Sequence, residues 1–168
     1  PDLDTLRDYC SHVAGAVGHL CLGIWGVEGE RAERFAEDLG LAVQLTNILR
    51  DVASDAAAGR LYVPLDLLAR HGVSPEDVLA RRASSALTAT LAELAGHAHA
   101  AYDRADFTAF PRADRRRLWP ARIIARIYRG LLREIETQGF PLSRRIQVSG
   151  GRKALIVATV LARRLMPW

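Results

Sequence analysis

The chain has 168 residues, 49% hydrophobic and 25% charged, with a mean hydropathy of +0.01 and a formal net charge of +4 at pH 7. That balance excludes intrinsic disorder, a collagen-like repeat and a disulfide-stapled miniprotein. A chain of this length buries roughly 70% of its unfolded surface, enough for one domain around one core.

Helical periodicity runs throughout, and no segment alternates with period two for long enough to make a sheet, so the expected class is all-α. A first helix is predicted over Leu3 to about Trp25, capped by Asp2 or Asp4 and closed by Gly26 and Gly29. Its stretch Tyr9-Cys10-Ser11-His12-Val13-Ala14-Gly15-Ala16-Val17-Gly18 holds glycines inside a helix, where each costs about 1 kcal/mol relative to Ala. Either a neighbouring helix packs closely there, or a long apolar ligand lies against the bared backbone. Cys10 and Cys21 fall about three turns, or ~16 Å, apart on this helix and cannot bridge within it. With no other cysteine there is no zinc cluster, and a reducing compartment is expected. His12 and His19 are expected as core histidines.

The second helix is predicted over Glu30 to about Ser54, with Phe35, Leu39, Ala42, Leu45, Thr46 and Leu49 as its apolar seam. A short turn from Pro64 to Arg70 stops at His71-Gly72. Ser74-Pro75-Glu76-Asp77 then restarts the chain with a cap, a first-turn proline and two acids that suit the helix dipole. From there a single long helix is expected to reach about Asp106, with Leu79, Leu87, Leu91, Leu94 and Ala98 inward, until Phe110-Pro111 breaks it. Residues 114–138 form another, kinked at Pro120, with Ile123, Ile124, Ile127, Leu131, Leu132 and Ile135 as its core face. Gly139-Phe140-Pro141 closes it, and Arg152 to Arg164 is the last helix.

Charge is unevenly spread: residues 1–60 carry a net −5, residues 61–110 a net −2 and residues 111–168 a net +11. An acidic front and a basic rear point to a site with a cation-binding and an anion-binding wall, or to solvated faces. No membrane span or signal peptide is expected, since the longest weakly polar run, residues 13–27, is shorter than the roughly 20 residues a span needs.

The strongest local signal is Gln44-Leu45-Thr46-Asn47-Ile48-Leu49-Arg50-Asp51-Val52-Ala53-Ser54-Asp55. Asn47, Asp51 and Asp55 stand at i, i+4 and i+8, so their oxygens line one helical stripe at ~6 Å intervals. Three hard oxygen donors in a row can hold Mg²⁺ and leave positions for water or phosphate. Without a cation the two carboxylates repel each other. A solvated acidic face is the competing reading. Glu93, His97 and His99 lack the Glu-x-x-His spacing of di-iron bundles and are expected in solvated or helix-packing roles. In the rear, Arg115-Arg116-Arg117, Arg122, Arg126, Arg129, Arg144, Arg145 and Arg152 offer guanidinium forks for phosphate oxygens, or a solvated basic face.

Three blocks carry a resemblance: Tyr9-Cys10 through Val13-Ala14-Gly15 to Val17-Gly18, then Gly40 through Asp51 to Asp55, then Gly59-Arg60-Leu61-Tyr62-Val63-Pro64. In this order they resemble the second half of the squalene/phytoene synthase family. Pro120-Ala121-Arg122, Tyr128, Gly139 and Arg144-Arg145 are similar to its bacterial hopanoid-pathway branch, presqualene diphosphate synthase. The resemblance implies an isoprenoid-synthase helical fold around an apolar cavity, with residues 1–168 as the carboxy-terminal portion of a single all-α domain. It implies Mg²⁺-dependent head-to-head condensation of two farnesyl diphosphates to presqualene diphosphate, with Mn²⁺ as the alternative ion. Asn47, Asp51 and Asp55 would bind metal, and Tyr9, Asp51 and Asp55 would be catalytic, Tyr9 facing the reacting carbons. Val13, Ala14, Val17 and Gly18 would line the prenyl tunnel, which settles the glycines as a ligand surface, while Gln44, Arg50, Tyr128, Arg144 and Arg145 would meet the diphosphate.

Family members carry a first aspartate-rich motif upstream of the Tyr9 block, and this chain begins just before that block. Asp103 and Asp106 do not match its context. The implied partners are therefore a prenyl diphosphate and an upstream half of the enzyme, without nucleic acid, and the chain alone is expected to lack turnover. A cytoplasmic location is expected, with the apolar run of the last helix, residues 154–161, touching the inner membrane face or packing in the core. Two other readings stand beside this one: phytoene synthase, acting on two geranylgeranyl diphosphates, and a non-catalytic basic helical module that binds nucleic acid.

Overall fold

The computed structural model describes residues 2–165, and its architecture is organised by one long helix on which most of the others pack. Helices α1 (Leu3–Cys10) and α2 (Ala16–Trp25) are joined by a single π-helical stretch, Ser11–Gly15. Asp2 caps α1 by accepting from the Thr5 N–H at 2.8 Å, and Gly26, in the left-handed region at φ 65°, closes α2. The central helix α3 (Glu30–Ala57) follows, then α4 (Leu65–Arg70), α5 (Pro75–Leu79) and α6 (Ser85–Arg104). A 3₁₀ turn (Phe107–Ala109), α7 (Arg112–Arg117), α8 (Trp119–Thr137) and α9 (Gly150–Leu165) complete the order. Among the described residues there is no strand, as the periodicity requires.

α3 touches α1, α2, α5, α6 and α8. It can do so because its inward residues, among them Phe35, Leu39, Leu45, Ile48, Leu49 and Val52, lie on more than one side of the cylinder and are buried. The buried hydroxyl of Thr46 is satisfied twice: it donates to the Ala42 carbonyl at 2.7 Å and lies 3.1 Å from the Tyr102 hydroxyl of α6. Phe35 packs edge-on against both Phe107 and Phe110, with ring centroids 4.9 and 5.2 Å away, and so ties the start of α3 to the segment after α6.

Several expectations are corrected. The helix predicted from Ser74 to Asp106 is two helices: Arg81 adopts φ 55°, and Ser84 is extended and caps α6 through the Leu87 N–H at 3.0 Å. A second capping serine thus outcompetes helix continuation, and Leu79, expected inward, is 37% exposed. The segment 114–138 is likewise divided at Leu118, because Pro120 sits in the first turn of α8, where a missing N–H costs nothing. Ile124 is exposed rather than in the core. His12 and His19 are also outside the core, with the His12 ring exposed beside Asp8 and the His19 ring 3.8 Å from Glu37. Both cysteines are free thiols. Burial pushes the Cys10 thiol up to about 12.

Two of the helical glycines, Gly18 and Gly40, are explained by close packing. A Cβ on Gly40 would lie 3.0 Å from the Ala14 backbone carbon, and one on Gly18 would lie 3.0 Å from the Ala36 Cβ. The π stretch and α2 therefore rest directly on α3, backbone against backbone. Gly15 itself is buried.

Candidate active site

The close seating of α2 on α3 opens the molecule on the other side of α2. Val13, Ala14, Val17, Gly18, Cys21 and Trp25 form one wall of a cavity of about 450 Å³. Phe35, Leu39 and Val43 of α3 form its floor, and Ala121, Ile124 and Tyr128 of α8 the opposite wall. Nearly every lining group is apolar. The exceptions, Gln44 and Tyr128, share the lining with them.

Gln44 begins the polar ridge. Its Oε1 accepts from Asn47 Nδ2 at 3.3 Å, and one and two turns further along α3 come Asp51 and Asp55. The repulsion expected between the two carboxylates is offset by arginines. Asp51 is held by two forks: Arg50 donates from Nε and Nη2 at 2.9 and 2.5 Å, and Arg145, 94 residues away, donates from Nε and Nη2 at 2.7 and 3.1 Å. Asp55 accepts from Arg60 Nη2 at 3.0 Å. Burial alone would raise the Asp51 carboxyl, but the bonds from Arg50 and Arg145 outweigh it and hold the group below the usual carboxylate range. Asp51 in return raises Arg50, whose guanidinium also lies beside the Tyr128 phenol.

Asn47 Oδ1 is buried and accepts no hydrogen bond. An unsatisfied oxygen on the same stripe as two carboxylates fits the donor set of a hard divalent cation. Among the described residues no group of three His, Cys, Asp or Glu side chains is placed to hold a metal, so this ridge of one amide and two acids is the candidate.

Tyr9 stands at the charged end rather than in the cavity lining. Its ring stacks on Tyr62 at 5.6 Å and is 37% exposed; burial, the neighbouring Tyr62 hydroxyl and Asp55 raise its phenol. The structure thus brings together Gln44, Asn47, Arg50, Asp51, Asp55, Tyr128 and Arg145, with Val13, Ala14, Val17 and Gly18 at the apolar end. Arg144 turns elsewhere and donates to Gln138 at 2.6 Å. Sequence reasoning assigned no role to Arg60 or Tyr62, although both stand in the Gly59–Pro64 block; the arginine five residues after Asp55, just past a helix end, was the available signal.

Part of the basic rear is divided among partners. Arg117 donates to the Gly26 carbonyl, Arg129 pairs with Asp103 at 2.6 Å, and Arg152 lies 3.7 Å from Glu134. His99 bridges α6 to α8 through Glu136 at 2.9 Å, a helix-packing role as expected. Within the apolar run of α9, Val160 is buried and Leu155 exposed. No helix among the described residues is long and apolar enough to cross a membrane.

An all-α chain with an acidic ridge beside an apolar cavity is the arrangement of the isoprenoid-synthase helical fold, and the solved structures bear this out. The fold matches a dehydrosqualene synthase in complex with ligand at a TM-score of 0.78 and 32% identity, over 97% of this chain and 58% of that one. It matches a squalene synthase from Alicyclobacillus acidocaldarius at 0.74 and 31%, over 82% and 52%. Residues 1–152 match the family model described as Squalene/phytoene synthase, and the chain belongs to that family. It is 40% identical over 164 residues to a protein of Thermus thermophilus named phytoene synthase, covering 96% of this chain and 56% of its relative. It is 39% identical over 144 residues to one of Rhodopseudomonas palustris named presqualene diphosphate synthase, covering 86% and 51%. The chain thus spans about half the length of the curated relatives it matches.

Proposed function

We propose that this chain forms the second wall of a head-to-head prenyltransferase active site, condensing two farnesyl diphosphates to presqualene diphosphate with release of diphosphate. The observation that carries the reading is the continuity of the site: one helix, α3, supplies the apolar floor at Phe35–Val43 and the oxygen ridge at Asn47–Asp55. A prenyl diphosphate has the same polarity along its length.

Asn47, Asp51 and Asp55 would hold Mg²⁺, which supplies charge neutralisation for a leaving diphosphate when bound. Arg50, Arg145 and Tyr128 bind diphosphate oxygens, the arginines as forks. For this to happen Arg50 and Arg145 would exchange their bonds to Asp51 for bonds to the substrate, and the freed carboxylate would be available to hold the metal. Val13, Ala14, Val17 and Gly18 hold the tail and keep water from the allylic cation. Tyr9 presents a π face at the charged end, which suits an electron-poor carbon. An upstream region of the enzyme supplies the other acidic cluster and the remaining wall. The reading needs no nucleic acid, and α9, with Leu155 exposed, makes any membrane contact at the inner face.

A second reading keeps the chemistry and changes the substrate to two geranylgeranyl diphosphates; the name of the Thermus thermophilus relative favours it. Incubating the full-length enzyme, upstream region included, with C15 or C20 diphosphate, Mg²⁺ and no reductant separates the two. A C30 cyclopropyl diphosphate supports the first and a C40 product the second. If neither substrate releases diphosphate, the prenyltransferase reading fails.

A further inference from the structure

Beside the candidate active site, on the adjoining face of α8, lies a second cavity of about 410 Å³ with a different character. Its wall on α8 is Arg122, Arg126 and Arg129, spaced i, i+4 and i+7 and therefore on one stripe. Phe107 and Tyr102 form its aromatic side. The Arg122 guanidinium lies over the Phe107 ring, 4.9 Å from the centroid, and that of Arg129 over Tyr102 at 5.8 Å. Phe107 is also the ring on which Phe35 of the front cavity packs, so the two cavities stand side by side with an aromatic partition between them.

The counter-charges do not balance. Two carboxylates border the cavity, and both are engaged. Asp103 accepts from Arg129 Nη2 at 2.6 Å, and Asp106 accepts from the Thr108 N–H and hydroxyl at 2.7 and 2.8 Å. Arg126 makes no hydrogen bond or ion pair among the described residues, and Arg122 has only the ring beneath it. The Nε of Arg129 is buried without an acceptor. Burial and the like charges of Arg126, Arg115 and Arg163 push the Arg122 guanidinium down, which shows that this corner is already rich in cations. The neighbouring Arg115 and Arg116 are simply exposed, whereas all three stripe arginines are half-buried. Two of the three, Arg122 and Arg129, lie over rings, which a freely solvated basic face does not require.

We propose that this rear cavity is an anion site that takes a phosphate-class dianion between Arg122, Arg126 and Arg129. Planar forks match phosphate oxygens in pairs, and a phosphate supplies acceptors to Arg122 and Arg126, which no carboxylate here pairs. The aromatic side holds the forks at fixed positions and leaves room for the apolar part of an ester. The phosphate comes either free, as phosphate or diphosphate, or on the headgroup of an anionic lipid. The site is separate from the Asp51 ridge and does not rest on the prenyl-transfer reading.

The test titrates the chain with inorganic phosphate and with diphosphate in EDTA at low ionic strength by calorimetry, and floats it with vesicles of phosphatidylglycerol or phosphatidylcholine. Arg126→Gln is expected to weaken the free anion, or flotation on the anionic vesicles, at least tenfold. Arg122→Gln is expected to act in the same direction, and Asp51→Asn to leave binding within twofold. Because Arg126 makes no hydrogen bond or ion pair among the described residues, its variant should melt with the parent, which separates lost binding from lost folding. Anion binding that depends on Arg126 without vesicle capture assigns a free phosphate; capture on phosphatidylglycerol alone assigns a lipid headgroup. If no probe binds, if Arg126→Gln changes nothing, or if only Asp51→Asn matters, the rear site is overturned.

Discussion

The two halves of α3 solve opposite problems with one helical geometry. Between Phe35 and Val43 the helix faces a cavity whose lining sheds water, and Gly40 brings the α1–α2 backbone within van der Waals distance. Between Asn47 and Asp55 the same stripe bears oxygens, and their charge is matched by arginines from three places in the chain: Arg50, Arg60 and Arg145. The first half gains from hydrophobic burial and needs no partner beyond a close fit. The second is a charge arrangement whose partners can be exchanged. Apolar packing is therefore the fixed part of the site, and the Asp51 clamp is the part that substrate would rearrange.

The largest effect is expected where that clamp is removed. Asp51→Ala leaves Arg50 and Arg145 without their shared acceptor and takes a donor from the ridge. Mg²⁺-coupled uptake of farnesyl diphosphate should fall at least about a hundredfold, in line with the loss of several charge-assisted contacts. Calorimetry with and without EDTA measures it. Uptake within threefold of the parent would remove the ridge from the site.

In the apolar half, the corresponding break is Gly40→Ala. A methyl there meets the Ala14 carbonyl carbon and oxygen at 3.0 and 3.1 Å, which are backbone atoms and cannot swing aside. Urea denaturation should show a loss of about 1–3 kcal/mol. Unchanged stability would mean that α3 and the π stretch separate freely, and the fixed half would then not be fixed.

What could be read from the residues alone follows the same division. The oxygen ridge was legible because it is local: three side chains at a spacing of four on a helix that no Pro or Gly interrupts from Thr46 to Asp55. The partners of that ridge were not legible by spacing, since the fork on Asp51 comes from Arg145, and only the family resemblance put Arg145 in the site. The glycines allowed two readings, and the structure joins them. Gly18 meets Ala36 at packing distance while Val13 and Val17 beside it face the cavity. The break before α6 was missed because Ser84 caps as well as Ser74 does, and two good caps in one predicted helix mean two helices. The π stretch has no sequence signature in this reading. His12 and His19 lie outside the core although their neighbours are apolar, because that helix exposes its apolar residues, Leu20 at 71% and Ile24 at 81%.

A smaller effect tests whether the Asp51 clamp is electrostatic. Its carboxyl is held below the usual range in the folded chain, so the unfolded chain binds the extra proton first as pH falls. The charge contributes stability above the unfolded value of about 3.9, and that contribution disappears as pH drops through the folded value. Thermal melts of the parent and Asp51→Asn should therefore differ by a constant amount from pH 7 to about pH 5 and converge below about pH 4. A difference that does not shrink as pH falls below about 4 would assign the effect to shape rather than charge.

The smallest expected change in stability falls on α2. Val17 lines the cavity but is largely exposed, so Val17→Ser removes little buried surface and should leave stability within about 0.5 kcal/mol. Its neighbour Leu22 is buried, and Leu22→Ala should cost about 2–5 kcal/mol in the same urea experiment. Retention of a C15 diphosphate should fall with Val17→Ser, because a hydroxyl at position 17 places a polar group against the tail. If Val17→Ser neither weakens that binding nor changes the length of tail accepted, the cavity wall of α2 does not touch the chain of the substrate, and the apolar half of α3 is floor to a space that the reaction does not use.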